Sequence, residues 1–283
     1  MKIAVVYYTG TGGTRLVASE LHKAFAVIGF DSVIHQIHIR NEFSIKGRSH
    51  VAIAYPVHAG RSPGAVEKWA SAQDFSGIDV SLFPVSGGGD IIPNTACRIP
   101  LKKIIKKNGG NIIYEDMFVM PANVFLNTPA KTAQALINIL PQKAGRISED
   151  IKNGTRKKAR VIITDRLMAA IGALEHRGAK KFGRQLWADE SCNLCGICVK
   201  NCPEGNIRIE GEKVIYNDKC GLCMGCVYIC PRKSIHAKYL KFFILKDGIH
   251  FPKKGDMPLY KDCAEELRNI LWIGVRRYLK LNM

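Results

Sequence analysis

Apolar and polar positions follow two periodicities in the first half of the chain. Residues 3–8 (IAVVYY) are a short continuous apolar run, the pattern of a strand buried on both faces, and from Arg15 to Phe25 the apolar positions recur at helical spacing. Thr9-Gly10-Thr11-Gly12-Gly13-Thr14 forms the turn between them. Strand-like runs follow at 32–39 (SVIHQIHI), 50–55 (HVAIAY), 80–86 (VSLFPVS) and 111–119 (NIIYEDMFV), separated by helical stretches near 64–72, 95–107 and 130–140. Strands alternating with helices predict an α/β domain, a doubly wound parallel sheet covered on both faces. After Pro141 the texture changes: the basic stretch 145–190 reads as one or two helices joined by the breakers Gly154, Gly178 and Gly183. From Ser191 the chain is rich in turns and cysteine. The pattern divides the chain into an α/β domain (1–145), a basic helical linker (146–190) and a smaller α+β domain with a C-terminal extension (191–283). Residues 267–281 predict one packed helix with Leu267, Ile270, Leu271, Val275, Tyr278 and Leu279 on its inner face.

With 283 residues, 47% of them apolar, the chain has material for a core and is neither disordered nor fibrous. Its longest uncharged window, Met117 to Ala130, contains Pro121 and Pro129 and falls short of the roughly 20 apolar residues of a membrane-spanning helix. Met1-Lys2 leads straight into a β-branched run without the pattern of a secretory signal, so the expectation is a cytoplasmic protein. The formal charge of +18 is spread along the chain instead of being gathered in a tail. Such a field favours negative partners. No nucleic-acid recognition motif accompanies it; composition does not choose between solvated faces, an anionic membrane surface and an acidic redox protein as partner.

Ten cysteines sharpen the picture, because eight of them lie between Cys192 and Cys230. Cys192, Cys195, Cys198 and Cys202 recur 28 residues later as Cys220, Cys223, Cys226 and Cys230, each set closed by a proline, Pro203 or Pro231. The repeated C-x2-C-x2-C-x3-C-P run marks an internal duplication. In a chain without an export signal, metal ligation is favoured over disulfides. Three thiolates at this spacing wrap one face of an iron-sulfur cube, and the cysteine before proline reaches the other cluster. Cys192, Cys195, Cys198 and Cys230 are therefore assigned to one [4Fe-4S] cluster and Cys202, Cys220, Cys223 and Cys226 to a second. Gly196, Gly221 and Gly225 stand between ligands, where backbone N–H groups approach the cluster sulfurs. A pair of zinc sites, the alternative, leaves the third cysteine of each triplet and both Cys-Pro steps unexplained. The segment from Cys192 to Ile235 resembles a bacterial-type ferredoxin with two [4Fe-4S] clusters, a family that carries single electrons between proteins.

The turn at 9–14 is neither G-x-G-x-x-G, since Arg15 stands where the last glycine belongs, nor a P-loop, since no Gly-Lys-Ser/Thr follows. Hydroxyls of Thr9, Thr11 and Thr14 interleave with the amides of Gly10, Gly12 and Gly13 before a helix N-terminus, an arrangement suited to a phosphomonoester. The spacing T-x-T-G-x-T resembles the phosphate loop of flavodoxins, which implies a five-stranded sheet in the order 2-1-3-4-5 with FMN at the switch point. That resemblance further implies flavin contacts from Tyr55-Pro56-Val57-His58-Ala59-Gly60 and Ser86-Gly87-Gly88-Gly89-Asp90, with Gly60 a candidate for a peptide that meets the reduced ring. The whole chain resembles the fused flavodoxin-ferredoxin proteins, or ferrodoxins. The function this implies is electron transfer between FMN and two [4Fe-4S] clusters, joining a two-electron flavin to one-electron carriers. Two other functions remain open at this stage. One is a flavin-dependent reductase of a quinone or nitro compound; the other is a non-redox assembly subunit with a lost flavin site. No catalytic set of the Ser-His-Asp or paired-carboxylate kind is assigned, and Cys97 and Cys263 are expected to be packing thiols.

Overall fold

The computed structural model describes residues 1–283 except 59, 160, 161, 163, 166, 168–177 and 240. The expected strands form as β1 (Lys2–Tyr7), β2 (Asp31–Gln36), β3 (His50–Pro56), β4 (Asp79–Ser86) and β5 (Asn111–Glu115). They pair in parallel in the order β2-β1-β3-β4-β5. Each loop leaving a carboxyl end therefore opens along one edge. The run 111–119 does not stay one strand. It breaks at Asp116-Met117, and β6 (Phe118–Val119) resumes on the upper end of β4.

Alternation along the strands builds two cores, one on each face. Ala4, Val6, Ile53 and Tyr55 face a layer containing α2 (Gly64–Ser71) and α3 (Arg98–Lys107). Ile3, Val5, Ala52 and Ala54 face α1 (Gly13–Val27) and α4 (Ala130–Lys152). Pro141 does not end the fourth helix, which continues to Lys152 with Pro141 inside it and Ala144, Ile147 and Ile151 still buried. Packing of that apolar stripe outweighs the hydrogen bond the proline removes.

The cysteine region is built from short pieces: β7 (Leu186–Ala188), α5 (Ile197–Asn201), β8 (Ile207–Glu210), β9 (Lys213–Tyr216), α6 (Gly225–Ile229) and β10 (Ile235–Ala237). β7 pairs with β10 and β8 with β9, both antiparallel. Much of the linker prediction falls on residues outside those described. Gly154 does follow a helix end, with φ 71°. Gly183 is not a breaker. It lies within the helical stretch 178–184, where a Cβ would come within 2.3 Å of Cys220 Cβ, so the position demands close approach.

The single helix expected at 267–281 is also corrected. α7 (Tyr260–Glu266) and α8 (Ile273–Asn282) are separated by a 3-10 turn, and Ile270 and Leu271 are exposed. Leu267, Val275, Tyr278 and Leu279 do pack, against Leu136 and Ile139 of α4. Glu266 accepts hydrogen bonds at 2.9 Å from the Thr132 amide and hydroxyl, so the C-terminal region caps the N-terminus of α4.

Candidate functional site

The duplication seen in the sequence is written into the backbone. Leu194 and Leu222 have φ of 55° and 54°, Gly196 and Met224 of 72° and 60°, and Gly205 and Lys233 of 60° and 52°, each pair 28 residues apart. Left-handed residues are costly away from glycine, so their recurrence at matched positions shows one bend used twice. Such bends turn successive N–H groups toward a common centre.

Two small cavities sit inside these bends. Cys202, Cys220, Cys223 and Cys226 line one, and Cys192, Cys195, Cys198 and Cys230 the other. The bends thus bring together the two quartets expected from spacing, including the crossover of each Cys-Pro cysteine to the other set. Among the described residues no three His, Cys, Asp or Glu groups converge to hold a single metal ion. Sulfurs ringing a cavity suit a four-iron cube better than one zinc ion. Matched positions also meet the fourth cysteine of each repeat: the Asn206 amide donates to Cys202 Sγ (3.2 Å), and the Ser234 hydroxyl lies 3.2 Å from Cys230 Sγ. The Leu222 amide donates to Cys220 Sγ at 3.4 Å.

Burial raises most of these thiols: Cys223 to about 12, Cys220 to about 11, and Cys226 well above its ordinary value. Burial also acts on Cys230, but hydrogen bonds from Ser234 and neighbouring amides outweigh it and hold that thiol low. A metal bound to the high thiols must displace their protons. Tyr216 lies among both sets; burial and the nearby Cys226, Cys198, Cys192 and Cys230 raise its hydroxyl, which has no hydrogen-bond partner among the described residues.

The Gly225 amide does approach sulfur, hydrogen-bonding Cys223, and the lack of side chains at Gly221 and Gly225 also lets the cysteine loop pack against the end of the first strand and its turn. A Cβ on Gly225 would stand 2.6 Å from Gly10 O, and one on Gly221 would stand 3.0 Å from Glu204 Oε1 and 3.1 Å from Tyr8 Oη. Gly10 in turn approaches Cys223, where a Cβ would meet Cys223 Cβ at 2.4 Å. Tyr8, at the end of the first strand, donates to Glu204 Oε1 at 2.9 Å. Burial pushes the Glu204 carboxyl up, with the Tyr8 hydrogen bond opposing.

The turn 9–14 closes on itself through the Gly12 amide, which donates to Thr9 Oγ1 at 3.1 Å, with Gly12 at φ 102°. α1 begins immediately after, without a side-chain cap or an acidic residue in its first turn, so its leading amides stay available to an anion. Thr9 and Thr14 are buried and Thr11 half-buried. Phe251 packs beside the turn, 3.3 Å from a Cβ built on Gly13.

The other two loops lie along the same edge. Pro56 and Val57 are half-buried, and the Val57 amide donates to Val85 O. His58 pairs with Arg61 and sets its ring edge-on to Tyr8, 6.3 Å between centroids. Tyr55 points elsewhere: it is fully buried in the core beside α2 and α3. Ala59 lies outside the described residues. Gly60, at φ 71°, packs on Pro93. Ser86 Oγ accepts from the Gly88 amide at 3.0 Å. Gly87 is backed by Ala122, and Gly89 abuts Gly274 of α8, 2.5 Å from a built Cβ. Asp90 is taken by an ion pair with buried Arg98, two contacts of 2.9 Å.

Sequence reasoning missed Tyr8, Glu204, Phe251 and the left-handed Leu194, Leu222 and Met224. Only the leucines carried a signal, since both occupy the same place in the 28-residue repeat.

Residues 175–235 match the family model described as a 4Fe-4S dicluster domain. No curated protein matches the chain. Among solved structures, a short-chain flavodoxin associated with a non-canonical PDU bacterial microcompartment is 12% identical, covering 55% of this chain and 99% of its own at a TM-score of 0.41. Flavodoxin 2 from Bacillus cereus is 10% identical over 54% of this chain and 99% of its own, TM-score 0.42. A Fusobacterium nucleatum flavodoxin mutant bound to flavin mononucleotide is 19% identical over 54% and 95%, TM-score 0.39. With the 2-1-3-4-5 strand order in its first half and a 4Fe-4S dicluster match in its second, the chain fits a fused flavodoxin-ferredoxin.

Proposed function

We propose that this chain is an electron-transfer iron-sulfur flavoprotein with two [4Fe-4S] clusters and one FMN. In this reading Cys192, Cys195, Cys198 and Cys230 hold one cluster, and Cys202, Cys220, Cys223 and Cys226 the other. The turn 9–14 holds the FMN phosphate, with the loops 55–60 and 86–90 beside the ring. Residues 1–145 form the flavin domain, 146–190 the linker and 191–283 the cluster domain and its extension. Bound together, these groups exchange electrons between a two-electron couple and one-electron centres.

The observation that carries the reading is the contact of Gly10 with Cys223. The turn suited to the flavin phosphate and a ligand of the second cluster are packed together, so the two centres belong to one electron path. The protein's own residues set that path. The α1 amides and the threonine hydroxyls bind the phosphate, while the amides of Asn206 and Leu222 and the Ser234 hydroxyl hold sulfur charge. Tyr8 and Glu204 fix the turn against the Cys202-Pro203 step.

An anaerobic redox titration followed by optical and EPR spectra, with iron, sulfide and FMN counted, tests this. The expected result is two clusters and one flavin per chain. Replacing Thr11 and Thr14 by glutamate should strip the flavin and leave the iron, because added negative charge repels a phosphate. A colourless preparation, or zinc in place of iron, refutes the proposal.

A further inference from the structure

An open groove runs along the outer side of the cysteine region, apart from the contact of Gly10 with Cys223. Cys230, Tyr228 and Ile235 form part of its wall, so it reaches a ligand of the first quartet, whereas the sheet packs Gly10 on the second. Its rim is basic. Lys233, Lys238, Lys241 and Lys246 line it, and among the described residues Asp247 is the one carboxylate that does.

The rest of the rim is aromatic and exposed: Phe242 is 62% accessible, Phe125 55% and Trp187 44%. These rings are held in place. Phe125 and Phe242 both pack at a tilt against Phe243, with centroids 4.5 and 4.8 Å away. Phe125 sits at φ 66°, a left-handed conformation that a bulky residue adopts only when its surroundings impose it. The Tyr228 hydroxyl supplies part of that constraint, donating to Asn123 O at 2.8 Å and accepting from the Leu245 amide at 3.0 Å. Fixed aromatic faces inside a lysine rim are the composition of a protein-docking surface, with charge steering the encounter and the rings giving contact area.

We propose that this groove docks an acidic one-electron carrier protein of the ferredoxin class, placing its redox centre against the Cys230 side of the first quartet. The inference rests on the reading that the quartets hold clusters. The step is a single electron passing between carrier and cluster, one oxidised as the other is reduced, with no bond made or broken.

The test uses the full, anaerobically prepared chain and a reduced acidic plant-type ferredoxin as probe, with electron transfer followed by stopped flow across a range of ionic strength. Lys238→Glu, Lys241→Glu and Lys246→Glu are combined in one variant. Lys103→Glu, Lys106→Glu and Lys107→Glu, exposed on α3, make a control of equal net charge. The groove variant should transfer electrons about tenfold more slowly at low salt and lose most of its salt dependence, with iron content unchanged. The control should stay within about twofold of the wild type. Equal slowing of both variants, or no slowing of the groove variant, overturns the proposal. So does binding to phosphatidylglycerol vesicles that the groove variant loses while its ferredoxin rate stays normal, since that marks a membrane-facing surface. A wild-type preparation without iron overturns the cluster reading, and the docking with it.

Discussion

On either side of the sheet, layers of side chains such as Ile3, Leu21, Phe83 and Leu140, or Val6, Ile53, Phe75 and Leu101, are withdrawn from water. In the cysteine region the buried apolar set described is Phe182, Leu186, Met224, Val227, Ile235 and Ala237. The first half buries enough apolar surface to hold its own fold. The second has strands of three or four residues and helices of five, too little for a stable core without staples. Two halves of one chain thus depend on different physics, hydrocarbon burial in one and metal-sulfur bonding in the other.

The strongest way to break that comparison is to remove the metal. Anaerobic chelation should abolish amide protection in β7 to β10 while leaving β1, β3 and β4 protected, as read by hydrogen exchange. Uniform loss across both halves would show that the sheet also depends on the iron. A smaller effect is expected where the halves meet. Gly10→Val forces a side chain into Cys223 and should cost about 3 kcal/mol, measured as a drop in thermal midpoint. The smallest effect belongs to the sheet alone. His50 is buried against Ser81, and burial lowers its pKa to about 4, so in the folded state it stays neutral. The unfolded chain binds the proton more readily, near pH 6.5, so stability falls as pH drops from about 6.5 toward 4. The loss reaches about 2 kcal/mol by pH 5. His50→Gln should flatten that slope without touching cluster absorbance.

The sequence exposed these halves unequally. Strand positions were legible because a doubly wound sheet repeats a long apolar pattern, and Ile3 to Tyr8 can hardly be anything but a buried strand; the strand order came only with the resemblance of the turn 9–14 to a flavodoxin phosphate loop. The quartets were legible because ligand spacing is a covalent constraint. Tertiary effects were not. Nothing local says that Pro141 lies inside a helix, since the compensating contacts come from Leu136 and Ile147 against distant elements. Gly183 reads as a breaker, and Gly221 and Gly225 as places where amides approach sulfur, while their close contacts with Cys220, Tyr8 and Gly10 lie up to about 215 residues away. Tyr55 was counted among the flavin contacts because alternation along β3 gives its face only once the sheet is assembled. The left-handed Met224 stands where its repeat partner has glycine, so composition concealed a bend that geometry repeats.

The packing of α7 and α8 on α4 gives the cysteine region an unusual situation. Stripped of metal, it is no free tail but a bight moored at both ends to the same helix. Closure entropy grows only logarithmically with loop length, about 0.6 kcal/mol per doubling, so the slack chain keeps its eight thiols at high mutual concentration. Refilling is then a local event on a moored strand, and the sheet serves as its mould.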